Sequence, residues 1–288
     1  MKWSGRREST NVEDRRGMST GGMVAGGGVI GVVLYLLFTF LSGGEIDPSQ
    51  LPELSSGGAG VPQQQMSEAE QREDDKRASF VKVVLADTED VWNKLFAEQG
   101  QQYPAPTLVL FRGAVQSACG NASAASGPFY CPGDQKLYID LSFYEEMQNK
   151  LNAPGDFAMA YVVAHEVGHH IQTLNGTSRK VSQMRARMSE AEGNKLSVAL
   201  ELQADFLAGV WAHHAQKMKN ILEPGDIDEA LNAANAIGDD RLQKMATGTV
   251  MPDAFTHGTS AQRVYWFKKG FDTGDISQGN TFNGIDPR

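Results

Sequence analysis

Apolar residues recur at helical spacing through most of the second half of the chain and gather into short runs before it. Phe80, Val83, Val84, Leu85, Val91, Trp92, Leu95 and Phe96 return every three or four positions, which predicts an amphipathic helix over 78–99. Pro104 and Pro106 stop it. Thr107 to Phe111 is a β-branched and apolar run that reads as a strand, and 127–131 with 136–141 read as a strand pair around Pro132-Gly133-Asp134. Beyond Gly155 strand signals nearly vanish. Helical periodicity then covers 156–174, 178–192, 195–219 and 226–237, with a last helix near 260–272. Strands first and helices after predict an α+β fold, a small N-terminal sheet followed mostly by helices.

The pattern before residue 78 is of another kind. Residues 1–22 are polar, and Lys2, Arg6, Arg7, Arg15 and Arg16 outnumber Glu8, Glu13 and Asp14. From Met23 to Leu41 no residue is charged, and a helix of that length spans roughly 28 Å, close to a bilayer's hydrocarbon core. The basic flank precedes it and Glu45 and Asp47 follow, so the positive-inside rule puts the N-terminus in the cytoplasm. The long polar lead and the absence of an A-x-A site favour an uncleaved anchor over a cleaved secretory signal. Residues 42–76, rich in Gly, Ser, Pro and Gln and then charged, read as a tether. The expected layout is a cytoplasmic tail (1–22), a transmembrane helix (23–41), a flexible linker (42–76) and a folded domain (77–288). That domain would face the periplasm from the inner membrane.

The 288 residues suffice for one sizeable core, and 26 Lys and Arg against 35 Asp and Glu give a net charge of -9. That balance speaks against a nucleic-acid partner, which calls for a basic face. Two cysteines are too few for a cysteine-based zinc finger. Exported, Cys119 and Cys131 would close their loop as a disulfide, stabilising by about 3 kcal/mol on the loop-entropy model; in a reducing compartment they would be two free thiols.

The candidate chemistry centres on Ala164-His165-Glu166-Val167-Gly168-His169-His170. His165 and His169 are one turn apart, so both imidazoles can meet one Zn²⁺, and Glu166 can serve as general base without being a ligand. Three ionisable groups on an otherwise apolar helix need a reason to be there. Gln172 and Asn175 occupy the positions that a metzincin would fill with Gly and His, which removes that layout. The third ligand is expected from Glu201-Leu202-Gln203-Ala204-Asp205, with Glu201 on the metal and Asp205 accepting the free N–H of a ligating histidine. His257 is the first choice for stabilising the oxyanion, with Tyr161 and Tyr265 behind it, and a capping or core role for His257 stays open. The strand pair offers an edge to which an extended peptide can add. Arg179 to Lys195 reads as a solvated face, Asp239-Asp240-Arg241 as a turn or cap, and Trp211, Trp266 and Phe267 as core.

With Trp3 to Ser9, Tyr138 to Tyr144, Ala164 to His170, Glu201 to Asp205, Ala236 to Arg241 and Phe255 to Ser260, the chain resembles the bacterial neutral zinc metallopeptidase family. The resemblance implies a zincin-like domain outside the inner membrane behind a single anchor, with His165 and His169 as zinc ligands and Glu166 catalytic. Where the family is expected to carry two cysteines this chain has Phe206 and Gly279, so a bridge tying down the tail is missing. The reading is a zinc-dependent endopeptidase acting on proteins or peptides. A zinc-stabilised, catalytically inactive scaffold module and a hydrolase of another amide, such as cell-wall peptide, are the alternatives.

Overall fold

The computed structural model describes residues 1–17 and 66–283. Its first helix, α1 (Glu68–Glu98), begins before residue 78 because the charged run after Ser67 continues as helix. Its later turns bury Phe80, Val81, Val84, Leu85, Val91, Trp92 and Leu95 in the core. Strand β2 (Thr107–Phe111) falls where the sequence puts it and is one of two inner strands of a four-stranded sheet. It pairs in parallel with β1 (Val12–Asp14) on one side and β6 (Lys136–Asp140) on the other. Strand β5 (Phe129–Cys131) runs antiparallel to β6 and forms one edge. A hairpin of β3 (Ala114–Ser117) and β4 (Gly120–Ser123) stands apart. The Cys119–Cys131 disulfide ties its turn to β5. The segment expected to be a flexible loop is therefore a hairpin arm and a short turn.

The helices follow: α2 (Phe143–Asn149), α3 (Asp156–Leu174), α4 (Thr177–Arg185), α5 (Glu190–Lys219), α6 (Asp226–Ala236), α7 (Asp239–Thr247) and α8 (Ser260–Thr273). The predicted helix over 178–192 splits because Ser189 caps α5, exchanging hydrogen bonds with Glu192. The mixed α+β architecture agrees with the sequence pattern. Helix α3 is buried on nearly every side, from Phe157 to Ile171. Helices α5 and α8 touch backbone to backbone, since a Cβ at Gly209 or Gly270 would strike the carbonyl of Phe267 or Phe206. Phe206 also lies against Gly279, where a Cβ would come within 2.6 Å of its ring. The two positions expected to have lost a bridge are thus neighbours. The tail is held instead by Gln203 donating to the Gly279 carbonyl at 3.0 Å and Thr281 to that of Ala199 at 2.5 Å.

The single-pass topology is overturned. Among the described residues no helix is long and apolar enough to cross a membrane, and the 23–41 candidate lies outside them. Met1–Arg16, expected as a detached cytoplasmic tail, belongs to the same compact unit as Arg72 onward. One crossing between them would put β1 and β2 on opposite faces of a bilayer, yet they share a ladder from Val12–Leu108 to Asp14–Leu110. The N-terminal strap is pinned further by Arg6 on Asp87, Arg7 on Glu89 and Asp90, and Arg16 on Asp74. The Met1 amino group sits between Asp156 and Asp226. A three-residue strand with two acidic side chains gave no periodic signal.

Candidate metal centre

Helix α3 carries His165, Glu166 and His169, and α5 carries Glu201 and Asp205. The two helices close on each other at Gly168, where a Cβ would stand 3.0 Å from the Ala204 carbonyl. That approach brings the later carboxylates to the imidazoles. The His165, His169 and Glu201 donor atoms all lie within 4.8 Å of one another. His165 Nε2 is 3.1 Å from Glu201 Oε2, and His169 Nε2 is 3.4 Å from Glu201 Oε1. A tetrahedron with bonds of about 2.0–2.1 Å has edges of about 3.3 Å, so donors gathered at this spacing are of the right kind and scale for zinc.

The other ring nitrogens are committed. His165 Nδ1 donates to Asp205 Oδ1 at 2.8 Å, and His169 Nδ1 donates to Gln172 Oε1 at 2.9 Å. Both Nε2 atoms are thereby turned toward Glu201. Gln172, whose presence ruled out one ligand layout, in fact orients the second histidine. Asp205 is wholly buried and saturated: it accepts the Tyr161 hydroxyl at 2.5 Å and a two-pronged contact from Arg263 at 2.8 and 2.9 Å.

The electrostatics follow from burial and charge. Burial disfavours the charged form of Glu201, but the two imidazoles hold its carboxyl well below the usual range. Burial also opposes charge on Asp205, and Arg263 outweighs it, keeping this carboxyl low. Glu166 goes the other way: desolvation pushes it up, against the pull of His169 and His165. A carboxyl poised upward beside two imidazoles is what a proton carrier needs.

These groups open on a cleft of about 380 Å³ that also meets Tyr130, Phe143, Leu242, His257 and Arg263. The sequence candidates for the oxyanion divide here. His257 lines the cleft, half-exposed, with Nδ1 3.2 Å from Asp239 Oδ1. Asp239 Oδ2 accepts the backbone amides of Thr256, His257 and Gly258 and fixes that loop. Asp239 and Asp240, read from the sequence as a turn or cap, open α7. Tyr161 lines the cleft too, but its hydroxyl is spent on Asp205; Tyr265 is exposed and lies outside the cleft. His170 is structural. Its Nε2 donates to the Pro104 carbonyl at 2.7 Å and its Nδ1 accepts from the Tyr130 hydroxyl at 3.0 Å, bracing β5 against α3. Arg263 escaped sequence reasoning. Its one signal is a lone arginine on a helix face that also carries Phe267, with Asp205 needing a buried counter-charge.

Two imidazoles one helical turn apart, a carboxylate from a second helix and a free acid beside them define the class: a candidate metal centre of the hydrolytic kind. The comparisons agree. The family model described as "Putative neutral zinc metallopeptidase" matches residues 1–282, and the chain belongs to that family. It is 49% identical over 291 residues to "Uncharacterized protein YpfJ" of Escherichia coli K12, covering 98% of this chain and 99% of that one. It is 43% identical over 194 residues to "Uncharacterized protein Rv2575" of Mycobacterium tuberculosis H37Rv, covering 64% of each. No solved structure matches it.

Proposed function

We propose that this chain is a zinc-dependent endopeptidase of zincin type that hydrolyses peptide bonds in proteins or peptides. The observation that carries the reading is the convergence of His165 Nε2, His169 Nε2 and the Glu201 carboxylate beside a free Glu166, at the floor of an open cleft. His165, His169 and Glu201 would hold the metal, and Asp205 and Gln172 would fix the two imidazoles. When bound, zinc polarises the scissile carbonyl and acidifies water. Glu166 takes the proton of the attacking water and delivers it to the leaving amine. His257, held by Asp239, donates to the oxygen on which charge develops. A peptide adds to β5, whose outer edge has no partner strand among the described residues. Phe129 and Tyr130 of β5 line the same cleft as Glu166, which supports this placement.

Glu166→Gln tests this. The variant should keep one zinc per chain and lose about 10²–10⁴-fold in turnover of an unfolded protein substrate. Unchanged turnover would reject Glu166 as the base. Zinc bound with no turnover in either form would favour the inactive scaffold.

A further inference from the structure

The cleft does not end at the metal centre. Past His169 and Glu201 a second depression of about 330 Å³ opens, walled by Pro132 after β5, Thr173 of α3, and Ser178, Ser182 and Arg185 of α4. The two spaces share Tyr130, His169 and Glu201 as a common wall. Their chemistry differs. The first is apolar around Phe129, Phe143, Val162 and Leu242. The second offers the hydroxyls of Ser178 and Ser182 and the Arg185 guanidinium beside Val181 and Leu200, the Thr173 hydroxyl being spent on the His169 carbonyl.

Arg185 is exposed and makes no ion pair among the described residues. It lies over Gly193, where a Cβ would be 3.5 Å from its Nε, so the side chain runs along α5. The other charged group in this depression, Glu201, is committed to the imidazoles. The forked donors of Arg185 are therefore open to a carboxylate from outside.

Strand β5 supplies a direction. Going along it from Phe129 to Pro132 leads from the first space into the second. A peptide laid antiparallel on its outer edge runs the opposite way. Its residues before the scissile bond then fall in the second space and those after it in the first.

We infer that Arg185 selects an acidic side chain on the N-terminal side of the scissile bond, with a large apolar residue on the C-terminal side against Phe129 and Leu242. This rests on the endopeptidase reading and names its substrate class. The probe is a set of fluorescent peptides with a central leucine or phenylalanine, carrying Glu or Lys at each of the three positions before it. Binding is measured first, on the zinc-loaded full chain carrying Glu166→Gln. Glu should bind about tenfold tighter than Lys at one position, the scale of a single charge-assisted contact, and Arg185→Glu in the same background should reverse the order. Equal binding, no measurable binding, or a preference that survives Arg185→Glu overturns the assignment. Cleavage by the unmodified chain is read separately. Cuts just before the apolar residue, with the same Glu over Lys ratio in kcat/KM, support the orientation; cuts with the acidic residue on the far side overturn it. Charge-selective binding without any cleavage would leave the Arg185 site standing and reject the peptidase reading.

Discussion

The N-terminal strap and the metal centre both hold charge against the core, in opposite ways. In the strap three arginines are answered by acids of α1: Arg6 by Asp87, Arg7 by Glu89 and Asp90, Arg16 by Asp74. Most of these pairs keep one partner in contact with solvent. At the centre the pairing stops short. Asp205 and Arg263 neutralise each other in full burial, but Glu166 and Glu201 have only two imidazoles as counter-charge. A closed set of ion pairs holds a segment in place. A set whose counter-charge is two imidazoles can give it up to a metal ion.

The largest expected effect is on the metal. Removing metal with a chelator should abolish turnover, and added zinc should restore it; activity that survives exhaustive chelation would break the contrast. Next comes the buried pair. Arg263→Met leaves Asp205 uncompensated and should cost about 3–5 kcal/mol in urea unfolding. It should also weaken zinc binding by about 10–100-fold, because Asp205, the acid that orients His165, loses the two-pronged contact that fixes it. Opening the disulfide with Cys119→Ser should cost about 3 kcal/mol and leave zinc content unchanged, since the bridge ties the hairpin and not the centre. In the strap, Arg7→Ala removes a half-exposed partner and should cost under about 1 kcal/mol. A strap variant as damaging as Arg263→Met would erase the distinction.

The smallest effect concerns acid. Burial works against charge on Asp239, but His257 and the loop amides outweigh it and hold this carboxyl below its ordinary value. Its contribution to stability is therefore complete above the ordinary carboxyl pKa and is lost as pH falls through the lowered one. Asp239→Asn should flatten the acid limb of the stability profile, read from urea midpoints between about pH 5 and pH 2. An unchanged slope would show that the clamp contributes nothing there.

The sequence pattern located strand 107–111 and helix 156–174 to the residue, because both are apolar runs with clear stops. It paired Glu201 with the two histidines because a one-turn spacing and an acidic pair on a later helix are local features. It was silent where a partner lies far along the chain. Strand β1 is too short and too acidic to show a period, yet it completes the sheet. Arg263 becomes meaningful only when α8 closes on α5 through Gly209 and Gly270. Gln172 and Asp239 act through hydrogen bonds, for which no spacing rule exists. The same blindness placed the N-terminal segment across a bilayer from a domain whose sheet Val12–Asp14 joins. A hydropathy run can suggest a crossing, but it cannot show that the chain on its two sides belongs to one fold.

The most direct test is crystallographic, with data from zinc-loaded protein collected at the zinc absorption edge. One anomalous peak should appear per chain, bounded by the Nε2 atoms of His165 and His169 and an oxygen of Glu201, with its fourth side open to the cleft beside Glu166. No peak at that point, or a fourth protein ligand closing it, would contradict the account.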